Sequence, residues 1–319
     1  MTAREDVTEF AGEAARLLRG KLKGKVRRGW SLAALTTFRI GGPAAVFAEI
    51  EDEADLVAVG EVLRATGLAM LVIGEGSNLL ISDEGFDGLA LHLGRAFRWT
   101  TVDGTFLEAG GATPLAAVSR AAREAGLTGL EFAVGIPGSL GGGMRMNAGA
   151  HGGDLGGVIQ RVRVVEMPQG EGRWVDRDDV GFRYRRTGLT NGQVVTAARF
   201  VLEPGVEQEI GGRMCEILAW RRERQPVNRR NCGSVFVNPA GDSAGRLIEA
   251  AGGKGLSVGL ARVSELHANF IVAEAGARAG EVKALIDSVR RLVLEREGVD
   301  LEPEVKLVGR FDSTSEVEV

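Results

Sequence analysis

Glycine constrains this chain more than any other residue. It takes 47 of the 319 positions, roughly twice the usual share of about 7%. The glycines have no triplet period and sit in short loops between apolar runs, which excludes collagen-like and low-complexity chains. So many residues without a Cβ mean many turns and many points of close backbone approach. Between these loops, Ala45–Ile50, Met70–Ile73, Leu79–Ser82 and Leu89–Leu93 read as strands. Asp52–Thr66 reads as a helix ended by Gly67. A second unit begins near Thr100, with a helix that has Thr113 as N-cap, Pro114 as its first residue and Gly126 past its end. Strands Arg161–Glu166, Arg173–Asp176 and Val194–Glu203 follow, and Pro204-Gly205 reads as a boundary. Beyond it come a helix near 207–223, a strand carrying Ser234, a helix near 243–251, the strand Phe270–Ala273, a helix near 279–297 and a strand carrying Glu304. The early alternation is that of a small α/β unit. The length asks for two or three domains.

Residues 4–24 read as an amphipathic helix, with Val7, Phe10, Ala11, Ala14, Leu17 and Leu18 at helical spacing. The basic run Lys21, Lys23, Lys25, Arg27 and Arg28 reads as a solvated face. The tail 311–319 is polar and expected to be loose. Net charge is −4, the wrong sign for a polyanion-binding protein. No apolar run approaches the length of a membrane span, and the polar N-terminus has no apolar signal core. Cys215 and Cys232 form no C-x-x-C. A cytoplasmic place is expected, without a disulfide framework or zinc site. His92, His151 and His267 are too far apart for a local metal motif.

Two glycine loops carry the first chemical signal. Gly74-Glu75-Gly76-Ser77-Asn78 follows an apolar strand, where successive N–H groups can form an anion nest or an ordinary turn. Gly135-Ile136-Pro137-Gly138-Ser139-Leu140-Gly141-Gly142 is stronger: a rigid bend, then small residues that leave backbone donors open. Together they suggest one extended diphosphate. No G-x-G-x-x-G and no G-x-x-x-x-G-K-[ST] occurs, so neither a Rossmann nor a P-loop site is supported. Ser234 follows Gly233 and lacks a G-x-S-x-G elbow, so it is no hydrolase nucleophile. Taken alone it reads as a turn residue, Cys232 as an inert buried thiol, and Glu304 as a solvent-facing strand carboxylate. The run Phe182-Arg183-Tyr184-Arg185-Arg186-Thr187 is either a solvated face or a guanidinium held for a carboxylate. The arginines from Arg221 to Arg230 lack the interleaved aromatics of a nucleic-acid surface.

In order, several stretches resemble the UDP-N-acetylenolpyruvoylglucosamine reductase family of bacterial cell-wall precursor synthesis. They are Thr37-Phe38-Arg39-Ile40-Gly41-Gly42, Gly74 to Leu80, Gly135 to Ser139, Met146-Asn147-Ala148-Gly149-Ala150, Tyr184-Arg185, Gly233-Ser234-Val235-Phe236, Ala244 to Glu249, and Val263 to Phe270. The resemblance spans about Thr36 to Gly309. It implies an α+β fold: a two-subdomain FAD-binding region of the vanillyl-alcohol-oxidase type at 31–98 and 99–205, and a substrate domain at 206–310. Residues 1–30 would be an N-terminal helix and linker. It implies that NADPH reduces non-covalent FAD and is replaced by UDP-N-acetylglucosamine enolpyruvate, whose terminal carbon takes the hydride. Ser234 would protonate the neighbouring carbon, and Arg185 and Glu304 hold the other catalytic positions. Arg185 suits stabilisation of charge on the substrate carboxylate. Glu304 is of more use as a protonated donor than as a bare anion.

The likeness also carries cofactor contacts onto Arg39, Gly74, Glu75, Gly76, Ser77, Asn78, Leu79, Gly135, Ile136, Pro137, Gly138, Ser139, Gly141, Gly142, Asn147, Gly149 and Ala150. It carries substrate contacts onto Tyr184, Arg229, Asn238, His267 and Asn269. No metal is implied, since flavin carries the hydride chemistry. Val237 stands where the family commonly has lysine, and Thr187 where it commonly has serine. The short interval from Arg185 to Ser234 resembles the branch without a tyrosine-bearing lid. The alternatives are a flavin-dependent alcohol oxidase of the same superfamily and a non-catalytic nucleotide-binding module.

Overall fold

The computed structural model describes residues 3–311. The tail, beyond Phe311, lies outside them. The chain divides into two compact units: residues 1–30, 44–75 and 87–219 form the first, and residues 31–43, 76–86 and 220–319 the second.

The first unit holds two sheets. Strands Val26–Ser31, Pro43–Ile50, Phe86–Leu93 and Ala69–Val72 lie side by side in that order, the last pair parallel. Helix Glu53–Thr66 has Asp52 as N-cap and Gly67 as a left-handed C-cap, the chemistry read from the sequence. Its apolar face, Leu56, Val59, Val62 and Leu63, buries with Val46, Ile50, Leu89 and Leu91 in one core. The second sheet is antiparallel, in the order Glu171–Asp176, Ile159–Glu166, Gln193–Val201, Phe106–Gly110 and Thr100–Asp103.

The N-terminal helix stops at Leu18, not near 24. Ala11, Ala14, Ala15 and Leu18 are buried, whereas Phe10, expected on the apolar face, is exposed. The basic run after it is tied to acidic partners on the first sheet and its helix: Lys21 to Glu61, Lys23 to Asp52 and Lys25 to Glu49. The helix expected to begin at Pro114 begins at Leu115, with Pro114 as its cap residue. Thr113 cannot be the cap because its hydroxyl serves the strand end instead, accepting the Trp99 N–H at 3.1 Å. At Pro204-Gly205, Pro204 pairs with Leu127, and the Gly205 N–H donates to Gly126 O at 2.7 Å.

One buried carboxylate ties this unit together. Asp55 is 2% exposed. It accepts the N–H of Lys23 at 3.0 Å and of Glu51 at 2.8 Å. Asp55→Ala orphans both donors and is expected to lower unfolding stability by at least about 2 kcal/mol. An unchanged urea midpoint would contradict this.

In the second unit, strand Leu79–Ile81 runs parallel to Lys306–Val308, with Leu80 opposite Leu307. Strands Ser257–Val258, Ala261–Val263 and Ile271–Ala273 form an antiparallel sheet. Helices Ala244–Ala250 and Ala279–Glu297 bury Leu247, Ile248, Val282, Leu285, Ile286 and Val289 against it. Cys232, Val235, Phe236 and Val305 enter the same core.

Candidate active site

Within the first unit the two glycine loops touch. A Cβ built on Gly74 would collide with the Ser139 hydroxyl, so only glycine permits that approach. Ser139 is buried and caps the short helix Leu140–Met146 through the Gly142 N–H, at 3.4 Å. Gly142 itself is exposed. Gly141 has a packing role: its N–H donates to Gly111 O at 2.8 Å, and its Cα faces the carbonyls of Gly111 and Val195. Gly149-Ala150 pairs with Gly153-Asp154 in a small hairpin.

The helix ends on Asn147, left-handed at φ 45°. Its amide is fully engaged with backbone. Nδ2 donates to Arg183 O at 3.0 Å, and Oδ1 accepts the Gly156 N–H at 2.9 Å. Thr187 adds a tether, its hydroxyl donating to Arg145 O at 3.0 Å. Between these anchors Arg183 and Arg186 exchange N–H···O bonds of 2.9 and 3.1 Å around Tyr184-Arg185. Arg185 occupies the left-handed region at φ 57°, and its guanidinium lies 5.0 Å from the Tyr184 ring centre. A strained arginine in a tethered turn is where function is to be sought. Tyr184 is 56% exposed.

Within the second unit Val235, the residue after Ser234, pairs with Glu304. Val235 O accepts the Glu304 N–H at 2.7 Å, and the Val237 N–H donates to Glu302 O at 2.9 Å. Neither residue lies on a regular strand, as the sequence had suggested. Phe236 and Pro303 make a single bridge pair, and the strand after Glu304 starts only at Lys306. Pro303 has no N–H to extend the ladder. Asn78 holds the acid from behind: its Nδ2 donates to Glu304 O at 3.1 Å, and its own carbonyl accepts the Lys306 N–H at 3.0 Å. Gly76, at φ 53°, lies so close to Leu35 O that no Cβ fits. Arg39 is exposed, also left-handed at φ 59°, and donates to Ala34 O at 2.8 Å. Cys232 lies behind this pairing. Burial pushes its thiol up to about 12, so it is no nucleophile.

The substrate residues implied by likeness fall in different settings. Arg229 is exposed and 3.7 Å from Glu274. Asn238 Oδ1 accepts the Ala244 N–H at 3.0 Å, holding the start of a helix. His267 is kept below its ordinary range by burial and then by Lys254. Its Nδ1 accepts the Asn269 N–H at 3.2 Å. Asn231 was missed. Its Oδ1 accepts the Gly233 N–H at 2.9 Å, and its Nδ2 donates to Pro226 O and Arg229 O. The spacing Asn231-Cys232-Gly233 is the signal for such a turn.

The N–H groups of Leu140, Gly141 and Gly142, expected to stand open, are taken inside the protein, and it is likeness to known proteins that defines a flavoprotein. Residues 44–176 match the FAD binding domain family. Residues 225–308 match the family described as UDP-N-acetylenolpyruvoylglucosamine reductase, C-terminal domain. The UDP-N-acetylenolpyruvoylglucosamine reductase of Heliobacterium modesticaldum is 46% identical, over 89% of this chain and 90% of its own length. That of Azorhizobium caulinodans is 43% identical, over 91% and 93%. The solved enzyme of Thermus caldophilus is 36% identical with a TM-score of 0.78, covering 90% of this chain and 100% of its own. The chain therefore belongs to the UDP-N-acetylenolpyruvoylglucosamine reductase family, with the α+β fold read from its sequence.

The purified protein is expected to be yellow, and acid precipitation to release intact FAD. A colourless protein that cannot be reconstituted would contradict the cofactor assignment.

Proposed function

We propose that the protein reduces the enolpyruvyl ether of UDP-N-acetylglucosamine to UDP-N-acetylmuramate, using NADPH, in cytoplasmic peptidoglycan precursor synthesis. The observation that carries the reading is the backbone pairing of Val235, the neighbour of Ser234, with Glu304, in a chain of this family. FAD, when bound, would supply the hydride chemistry between NADPH and the terminal enolpyruvyl carbon. The loops at Gly74–Leu79 and Gly135–Gly142, with Arg39 and Gly149-Ala150, would hold it.

Arg185 supplies a fixed positive fork to the substrate carboxylate, where charge develops as the vinyl ether is reduced. Glu304, in its protonated form, donates a hydrogen bond to the same enolate-like group. Ser234 gives its hydroxyl proton to the neighbouring carbon. A serine is a weak acid, so this works only against a strongly basic carbon held in register. Tyr184, Arg229, Asn238 and His267 line up the sugar nucleotide.

Steady-state assay with product mass analysis tests the reading. NADPH oxidation should require the enolpyruvyl substrate and yield UDP-N-acetylmuramate. Oxidation indifferent to that substrate would overturn it. Val237→Lys is expected to lower the Kd for the sugar nucleotide several-fold, most at low salt. It restores a cation two residues before Pro239 on a half-buried segment. Calorimetry at two ionic strengths checks this, and unchanged affinity at both would place the phosphates elsewhere.

A further inference from the structure

Family likeness assigns Asn269 to substrate contact, but its amide is turned into the protein. We infer that Asn269 is the positioning residue that fixes Ser234, an inference that rests on the reading of Ser234 as proton donor.

Asn269 is 3% exposed. Its main-chain carbonyl accepts the Val235 N–H at 2.9 Å. Its Oδ1 accepts the Phe236 N–H at 2.9 Å, and its Nδ2 donates to Phe236 O at 2.8 Å. The side-chain amide thus acts as an extra peptide group, completing a ladder where no regular strand exists. On the other side, Val235 O takes the Glu304 N–H. The two residues after Ser234 are therefore gripped from both edges. The turn that presents Asn269 is itself fixed, because Ser264 Oγ accepts the N–H groups of Leu266 and His267 at 3.2 and 3.4 Å.

An amide offers a donor and an acceptor together at these two atoms whatever the pH. Leucine would leave the Phe236 N–H and carbonyl unpaired. Aspartate would keep the acceptor and set a second acceptor against Phe236 O. A protonated aspartic acid would restore the donor. Burial and the facing carbonyl both raise that carboxyl above its ordinary value of about 3.9. The competent form is thus present below the raised value and lost as pH climbs through it. The titratable and charged groups on the elements near this amide include His267, on which Lys254 and Glu249 act, Arg246 on the helix whose Gly245 faces Asn269, Cys232 and Glu304 on the paired segments, and Glu265 and Arg230 on the flanking chain. They are common to both proteins, so the ratio of variant to wild type isolates the new carboxyl.

Anaerobic stopped-flow reoxidation of the reduced enzyme by the enolpyruvyl substrate is the test, with bound FAD measured for each variant. The N269D rate divided by the wild-type rate should rise several-fold as pH falls from about 8 to about 6. A flat ratio, loss of FAD from N269D, or wild-type rates at both ends would overturn the inference. The second arm is a cycle with Ser234→Ala. Asn269→Leu should slow reoxidation at least ~10-fold in the presence of Ser234 and less than ~3-fold in its absence. Equal factors in both backgrounds would overturn the inference. A Ser234→Ala enzyme indistinguishable from wild type would instead overturn the reading of Ser234.

Discussion

Ser234→Ala is expected to slow reoxidation of the reduced enzyme by UDP-N-acetylglucosamine enolpyruvate by at least ~10²-fold, the low end for a positioned acid. Flavin reduction by NADPH should stay within about 3-fold of wild type, because the proton is required only in the second half-reaction. The fold gives a reason to expect a clean separation. The segment at Ser234 is held by main-chain bonds of Val235 and Val237 and by Asn231 through Gly233, none of which needs the hydroxyl. Stopped-flow traces of the two half-reactions decide it. Equal loss in both would mean that the serine supports structure.

Arg185→Ala should cost about 10²- to 10³-fold in the same step, the range for removing one donor to developing charge. Arg185→Lys should recover only part, because an ammonium cannot hold a carboxylate bidentately. The backbone offers a control. At φ 57° the residue sits where glycine is at ease, so Arg185→Gly relieves strain of about 1–2 kcal/mol while removing the guanidinium. That variant should match or exceed wild type in thermal stability and be as slow as Arg185→Ala. A fast Arg185→Gly enzyme would remove Arg185 from the chemistry.

What could be read from the sequence follows physical locality. The helix Glu53–Thr66 was legible because Asp52 and Gly67 mark its ends, and Ala279–Glu297 because its apolar residues recur at helical spacing. The glycine loops were legible as turns, and they meet at Gly74 and Ser139. The strands drawn through Ser234 and Glu304 were not correct. Both segments are apolar and alternating, yet Pro303 and the Asn269 side chain replace a regular ladder with single bonds. Nothing local announces that a side chain 35 positions beyond Ser234 will stand in for a strand. The positive φ of Arg185 was hidden for the same reason. Asn147 and Thr187, which hold its turn, lie on elements that meet only after folding. Phe10 was misplaced because an alanine-rich face, Ala11, Ala14 and Ala15, packs where larger side chains were expected.

Electrons stored on the enzyme are destined for an enolpyruvyl ether. Photoreduced or dithionite-reduced enzyme, free of oxygen and NADPH, should be mixed with one equivalent of UDP-N-acetylglucosamine enolpyruvate while flavin absorbance is followed. The account predicts full return of the oxidised spectrum in one phase, with one equivalent of UDP-N-acetylmuramate formed. A flavin that stays reduced until oxygen is admitted would contradict it.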